Sequence, residues 1–109
     1  MKITLFQIVS ELDDKHLMFR NLNFIKNANN NTVPAELYEV VYDGDMDIKS
    51  LEEAFYIFNM AHPEDYTGRS MSISDVIKIS FPSGESRFYF CDTCGFSEIE
   101  FNENKTCQS

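Results

Sequence analysis

Basic residues are scarce in this chain: nine Lys and Arg stand against 18 Asp and Glu, for a net charge of −9 over 109 residues. Phosphate is repelled by such a balance, so nonspecific nucleic-acid binding and attraction to anionic lipid are both disfavoured. No apolar run approaches the roughly 20 residues needed to span a bilayer. There are three Cys, an odd number that suits free thiols in a reducing compartment better than a disulfide framework. The opening MKITLFQIVSELDD has seven residues between Lys2 and Ser10 and no small-residue cleavage site, so it reads as a strand and not as a signal peptide. The expected location is cytoplasmic, where the sequons at Asn30 and Asn104 carry no meaning.

What is abundant is aromatic surface. Ten Phe and five Tyr within a 43% apolar composition are enough to build one compact core. Ile3–Val9 is apolar and β-branched enough for a first strand. Asp14–Lys26 mixes its apolar spacings, which fits one short helix or irregular packing, and the NANNNTVP run that follows reads as a surface loop. Ala35–Tyr42 alternates as a strand with Tyr38, Val40 and Tyr42 on one face, and Asp43-Gly44-Asp45 reads as a turn. Ser50 and Glu53 form a capping box for a helix that carries Leu51, Ala54, Phe55 and Phe58 and ends near Met60, ahead of Pro63.

Val76–Phe81 and Arg87–Cys91 are strand-like runs joined by Pro82-Ser83-Gly84-Glu85, and Phe96, Ile99 and Phe101 mark a last strand. This order predicts an α+β domain over 1–101: a small, mostly antiparallel sheet of about five strands with one or two helices and a C-terminal β-meander. Residues 102–109 read as a polar, frayed tail.

Catalytic constellations are hard to find. Cys91-Asp92-Thr93-Cys94 is a CxxC, but one pair is half of a zinc site, and neither His16, His62 nor Cys107 sits at the spacing that would complete it. Cys91 and Cys94 are therefore weak metal candidates, read more simply as a buried and a turn cysteine. Neither imidazole has a nucleophile at a diagnostic spacing. There is no GxGxxG and no phosphate loop, so no cofactor is expected. The polar segment from Phe58 to Ile77 holds the best candidates for a binding surface: Asp65, Tyr66, Arg69, Ser70, Ser72 and Asp75. Arg69 has the fork for a carboxylate or phosphate ligand. It equally suits pairing with Asp65 or Asp75, while Ser and Asp side chains, Ser74 among them, satisfy turn amides.

Three stretches, YEVVYDGDM at Tyr38–Met46, LEEAFYIFNMAHPEDYTGRSMSISDVI at Leu51–Ile77 and FYFCDTCGFSEIEF at Phe88–Phe101, resemble the YodL-like domains, small domains of Firmicutes. The resemblance covers roughly the C-terminal two thirds. It implies an accessory or interaction domain of such a host or its mobile DNA, found alone or as a module of phage and conjugative-element proteins, and it carries over no catalytic residue. The expected function is thus a non-enzymatic domain that binds a protein partner through the 63–75 loop and adjoining sheet, without contacting nucleic acid or membrane. The alternative is an acidic nucleic-acid mimic that inhibits a nucleic-acid-handling or defence enzyme.

Overall fold

Every residue of Lys2–Ile8 except Lys2 is buried, and these β-branched and aromatic side chains form strand β1. The structure, a computed structural model, describes residues 1–61, 66 and 68–107. After β1 come a 3-10 turn at Ser10–Leu12, helix α1 (Leu22–Ala28), a 3-10 turn at Ala35–Leu37 and strand β2 (Tyr38–Asp45). Helix α2 (Leu51–Met60) precedes strands β3 (Val76–Ser80), β4 (Ser86–Asp92) and β5 (Gly95–Ile99), and a 3-10 turn at Glu103–Lys105 follows. The strands form one antiparallel sheet in the order β2-β1-β3-β4-β5, so the chain is α+β with the expected meander at its C-terminal end. β2 and β3 both run antiparallel to β1 and hence parallel to each other. α2 connects them across β1, a split β-α-β unit.

Both faces of the sheet are covered. Ile3, Leu5, Ile77 and Ile79 pack on one face with Ala54 and Phe58 of α2. Phe6, Ile8, Val76 and Phe90 pack on the other with Leu17, Ile25 of α1, and Phe101. α2 is capped at Ser50, whose hydroxyl accepts from the Glu53 N–H at 3.1 Å, and it ends at Met60; the other half of the predicted box is displaced by one residue, the Glu53 carboxylate accepting from the Lys49 N–H at 3.4 Å. The β3–β4 hairpin closes with the Phe81 N–H on the Glu85 carbonyl at 2.8 Å.

Four local expectations change. Asp43-Gly44-Asp45 is strand and not turn, because β1 runs as far as Lys2 and pairs Lys2 with Asp45, Ile3 with Gly44 and Thr4 with Asp43. Tyr38 and Tyr42 lie on opposite faces, because the register slips by one residue opposite Leu5 and Phe6. Such a bulge turns every later side chain over. In the 14–26 stretch, Asp13 accepts from the Leu17 and Met18 amides at 2.7 and 2.9 Å and bends the chain, which delays the helix to Leu22. The tail is tied down as far as Cys107: Glu103 pairs with Lys78 at 2.8 Å, and the Cys107 N–H donates to the Tyr38 carbonyl at 2.7 Å.

Gly44 matters for contact and not for conformation. A Cβ there would fall 2.9 Å from the Tyr42 hydroxyl, and the Tyr42 ring is itself held edge-on to Phe58 at 5.3 Å. Replacing a strand glycine by alanine ordinarily gains about 0.5–1 kcal/mol through backbone entropy. At position 44 the displaced ring reverses the sign, so Gly44→Ala is expected to lower the urea midpoint by the equivalent of about 1 kcal/mol. A raised midpoint would show that Tyr42 does not constrain this position.

Candidate functional site

In β1, Ile3 and Leu5 face α2, and strict alternation places Gln7 on the same side. Gln7 is 1% exposed, so its amide must be satisfied internally. The segment between α2 and β3 does this. Gln7 Nε2 donates to the Arg69 carbonyl at 2.8 Å and to Asp75 Oδ2 at 2.9 Å, while Gln7 Oε1 accepts from the Arg69 N–H at 3.2 Å. Asp75 Oδ2 also accepts from the Ser72 N–H at 2.9 Å. The Tyr66 hydroxyl donates to the Arg69 carbonyl, and its ring lies 5.2 Å from that of Phe58. Gly68 makes the approach feasible, since a Cβ there would sit 2.8 Å from Gln7 Oε1 and 2.9 Å from Val41 Cβ.

Ser74 extends this clamp to three further elements. It is fully buried with φ of +86°; its N–H donates to the Cys91 carbonyl at 3.0 Å, and its carbonyl accepts from the Tyr38 hydroxyl at 2.6 Å. Its hydroxyl accepts from the Phe19 N–H at 3.0 Å. Phe19 also has positive φ, +69°, and is 55% exposed, with the Arg69 guanidinium 5.8 Å from its ring centroid. Arg69 Nη2 donates to the Ile8 carbonyl at 2.9 Å. Among the described residues no ion pair contains Arg69; its Nε, the Ser72 hydroxyl and Asp75 Oδ1 are buried without a hydrogen-bond partner there.

The electrostatics follow from this burial. Desolvation pushes the Asp75 carboxyl up to about 7, against the opposing pull of the Ser72 amide, the Gln7 amide and the Arg69 charge. Desolvation, and then the Asp75 charge, push the Tyr66 hydroxyl up to about 12. Tyr38 is raised well above its ordinary value by the same two causes, with Asp13 adding to them. The Cys91 thiol is pushed up to about 12 by burial and then by Asp75 and Asp92, so it is held as the unreactive thiol.

The candidates from the sequence therefore separate. Tyr66, Arg69, Ser72 and Asp75 converge on Gln7, whereas Ser70 is exposed and contributes its carbonyl, 3.5 Å from Gln7 Nε2. Asp65 and His62 lie outside the described residues. Cys91 is buried beside the α2 face and Cys94 is exposed in the β4–β5 turn. Among the described residues no three His, Cys, Asp or Glu side chains are grouped to hold a metal ion, and no helix is long and apolar enough to cross a membrane. The cleft beside Arg69, about 220 Å³, is lined by Gln7, Ile8, Glu11, Glu39 and Gly68 among others, and neither Tyr66 nor Asp75 is part of that lining. Two residues were missed. Gln7 had a signal, a polar side chain where the Ile3–Leu5 alternation calls for an apolar one; Phe19 had none.

The model of the YodL-like domain matches residues 2–101. The chain belongs to the YodL-like domain family. The match takes in β1, which the motif resemblance in the C-terminal two thirds left out, and β1 is the strand that carries Gln7. No curated protein and no solved structure matches the chain.

The raised Asp75 carboxyl fixes a pH dependence for this YodL-like domain. Between about 4 and 7 the folded chain keeps a proton on Asp75 that the unfolded chain, with the ordinary carboxyl value of 3.8, releases. This contribution is therefore fully present below pH 3.8, declines as pH rises through the window and is gone above about 7. Asp75→Asn removes the titration while keeping an acceptor for Gln7 and Ser72. Its stability relative to the parent is expected to climb between pH 4 and 7, by roughly 2–4 kcal/mol, as read from urea unfolding across that range. A difference that stays flat with pH would refute the assignment.

Proposed function

We propose that this chain is a non-enzymatic protein-interaction domain, an accessory domain of a Firmicutes bacterium or of its mobile DNA. The centre of its contact surface is Phe19 with Arg69. The host context rests on the family. The binding reading rests on Phe19, a bulky residue held in the left-handed region and 55% exposed. That backbone conformation costs about 1–2 kcal/mol for an L-residue, and a ring left largely in water returns little of it through burial. Packing does not account for Phe at this position, where Gly would turn the chain at lower cost. An aromatic ring beside a guanidinium is the side-chain chemistry enriched at interface hot spots. One residue along, the Arg20 guanidinium lies 4.7 Å from the centre of the ring of Phe24, a residue 43% exposed.

The 63–75 reading is thereby shifted outward. Most polar groups of its described part are spent on Gln7 and on one another, which supports a structural role for them and leaves Ser70 exposed and Arg69 half-buried beside Phe19. The mimic reading needs a continuous, uncompensated negative face. Asp43, Asp45, Glu85, Glu98 and Glu103, five of the 18 acidic residues, each lie within 4 Å of a cationic nitrogen, which interrupts such a face at those positions and supports the protein-interaction reading.

Phe19→Gly separates stability from binding. Losing the ring and gaining chain entropy is offset by release of the strained φ, so the unfolding midpoint is expected to stay within the equivalent of about 1 kcal/mol of the parent. Proteins captured from a host lysate by the immobilised full chain should fall at least roughly tenfold in recovery with the variant. Equal recovery at unchanged stability would remove Phe19 from the contact surface, and capture that collapses uniformly with added salt would favour the mimic.

A further inference from the structure

The two edges of the sheet are finished differently. Beside β2 the chain covers itself: the Cys107 N–H donates to the Tyr38 carbonyl at 2.7 Å, and Glu39 and Cys107 form a parallel bridge. β5 pairs with β4 on one side. Among the described residues no backbone hydrogen bond outside that ladder reaches 95–101. In an antiparallel strand every second residue turns its N–H and C=O away from its partner, so β5 presents a row of unpaired groups, a template for another strand.

This edge opens on a groove. Two adjoining cavities of about 540 and 550 Å³ share Thr32, Val33 and Glu100 in their walls. Ile99 and Phe101, which belong to the α1 side of the core, give the groove its apolar wall together with Val33. Glu98 and Glu100 alternate with them along the strand and are exposed. Glu36, Glu98 and Glu100 outnumber Lys26 and Lys105 in the lining, and Glu98 stays half-exposed although Arg87 lies 3.7 Å away.

We propose that β5 is a β-augmentation site that takes an extended segment of another protein, alternating apolar and basic residues, as a sixth strand. Main-chain pairing supplies the affinity and the alternate side chains the selectivity. The apolar residues enter the groove over Val33, Ile99 and Phe101, and the Lys or Arg residues meet Glu98 and Glu100. A second copy of the chain fits poorly, because edge-to-edge pairing would bring together two chains of charge −9 along the strand that bears Glu98 and Glu100, and like charges across a strand pair are destabilising. The site goes beyond the Phe19 surface and does not depend on it.

The test titrates the full ¹⁵N-labelled chain with a capped peptide of about eight residues alternating Val and Lys, a strand-length probe, followed by amide shifts and hydrogen exchange. Shifts and added protection are expected at 96–100 and at Thr32 and Val33. Binding should weaken with salt and drop roughly tenfold or more when alternate peptide nitrogens are methylated, which deletes main-chain donors. The parent should prefer the Val-Lys peptide to one alternating Val and Glu, and Glu98→Lys with Glu100→Lys, both at exposed side chains, should reverse that preference. The proposal is overturned by no response at 96–100, by equal binding of the methylated peptide, or by an unchanged preference in the charge-reversed variant. A concentration-dependent dimer protected along β5 would also overturn it, in favour of a second copy.

Discussion

A buried carboxylate must be satisfied from inside the protein or give up its charge, and Asp75, fully buried at the entry to the central strand β3, does part of each. One oxygen takes the Gln7 amide and the Ser72 N–H, and burial pushes the group up to about 7. Much else is hung from that contact. Gln7 reaches Asp75 and at the same time holds both backbone groups of Arg69, so the return from α2 is fixed to β1 at two points. The residue before Asp75, Ser74, fastens the ends of β2 and β4 and the turn at Phe19.

The topology explains why a clamp is needed there. A split β-α-β crossover carries the chain over β1 on α2 and must bring it down beside β1 to begin β3. Residues 66 and 68–73 of the descending segment belong to no strand, so their backbone groups need partners from elsewhere. Gln7, on the strand being crossed, is within reach, and Gly68 allows the backbone to come close enough. The same order leaves β2 and β5 as the outer strands; the C-terminal tail crosses to β2, and β5 has no strand beyond it among the described residues.

Features encoded by neighbours in the chain were legible in the sequence. The helix cap at Ser50, the Pro82–Glu85 hairpin and the α+β order depend on spacing within a few residues, and the structure has them. Asp43-Gly44-Asp45 reads as a turn by composition, but ladder pairing to Lys2–Thr4, about forty residues away, outweighs local turn preference. The opposite faces of Tyr38 and Tyr42 depend on a bulge that is set against β1 and that no local pattern marks. At the site, the polar cluster between α2 and β3 was visible, while its orientation was not. Whether Arg69 and Asp75 face solvent or the core is decided by Gln7, some 60 residues earlier, and Arg69 binds the Ile8 carbonyl where an Arg–carboxylate pair was one expectation.

Net stability is a poor reason for such a network. Apolar groups of similar shape can replace a buried polar cluster at little cost or with a gain, and here Asp75 Oδ1, the Ser72 hydroxyl and Arg69 Nε are left without partners among the described residues. What directional bonds provide and an apolar contact does not is a single geometry. The strained φ values of Ser74 and Phe19 need such over-determination to persist. They are joined by one hydrogen bond, from the Phe19 N–H to the Ser74 hydroxyl. Through that bond the buried clamp sets the direction of an exposed ring, while the backbone of Arg69, held by Gln7, sets the guanidinium beside it. The clamp is thus better explained by what it holds in place at the surface than by what it adds to the core.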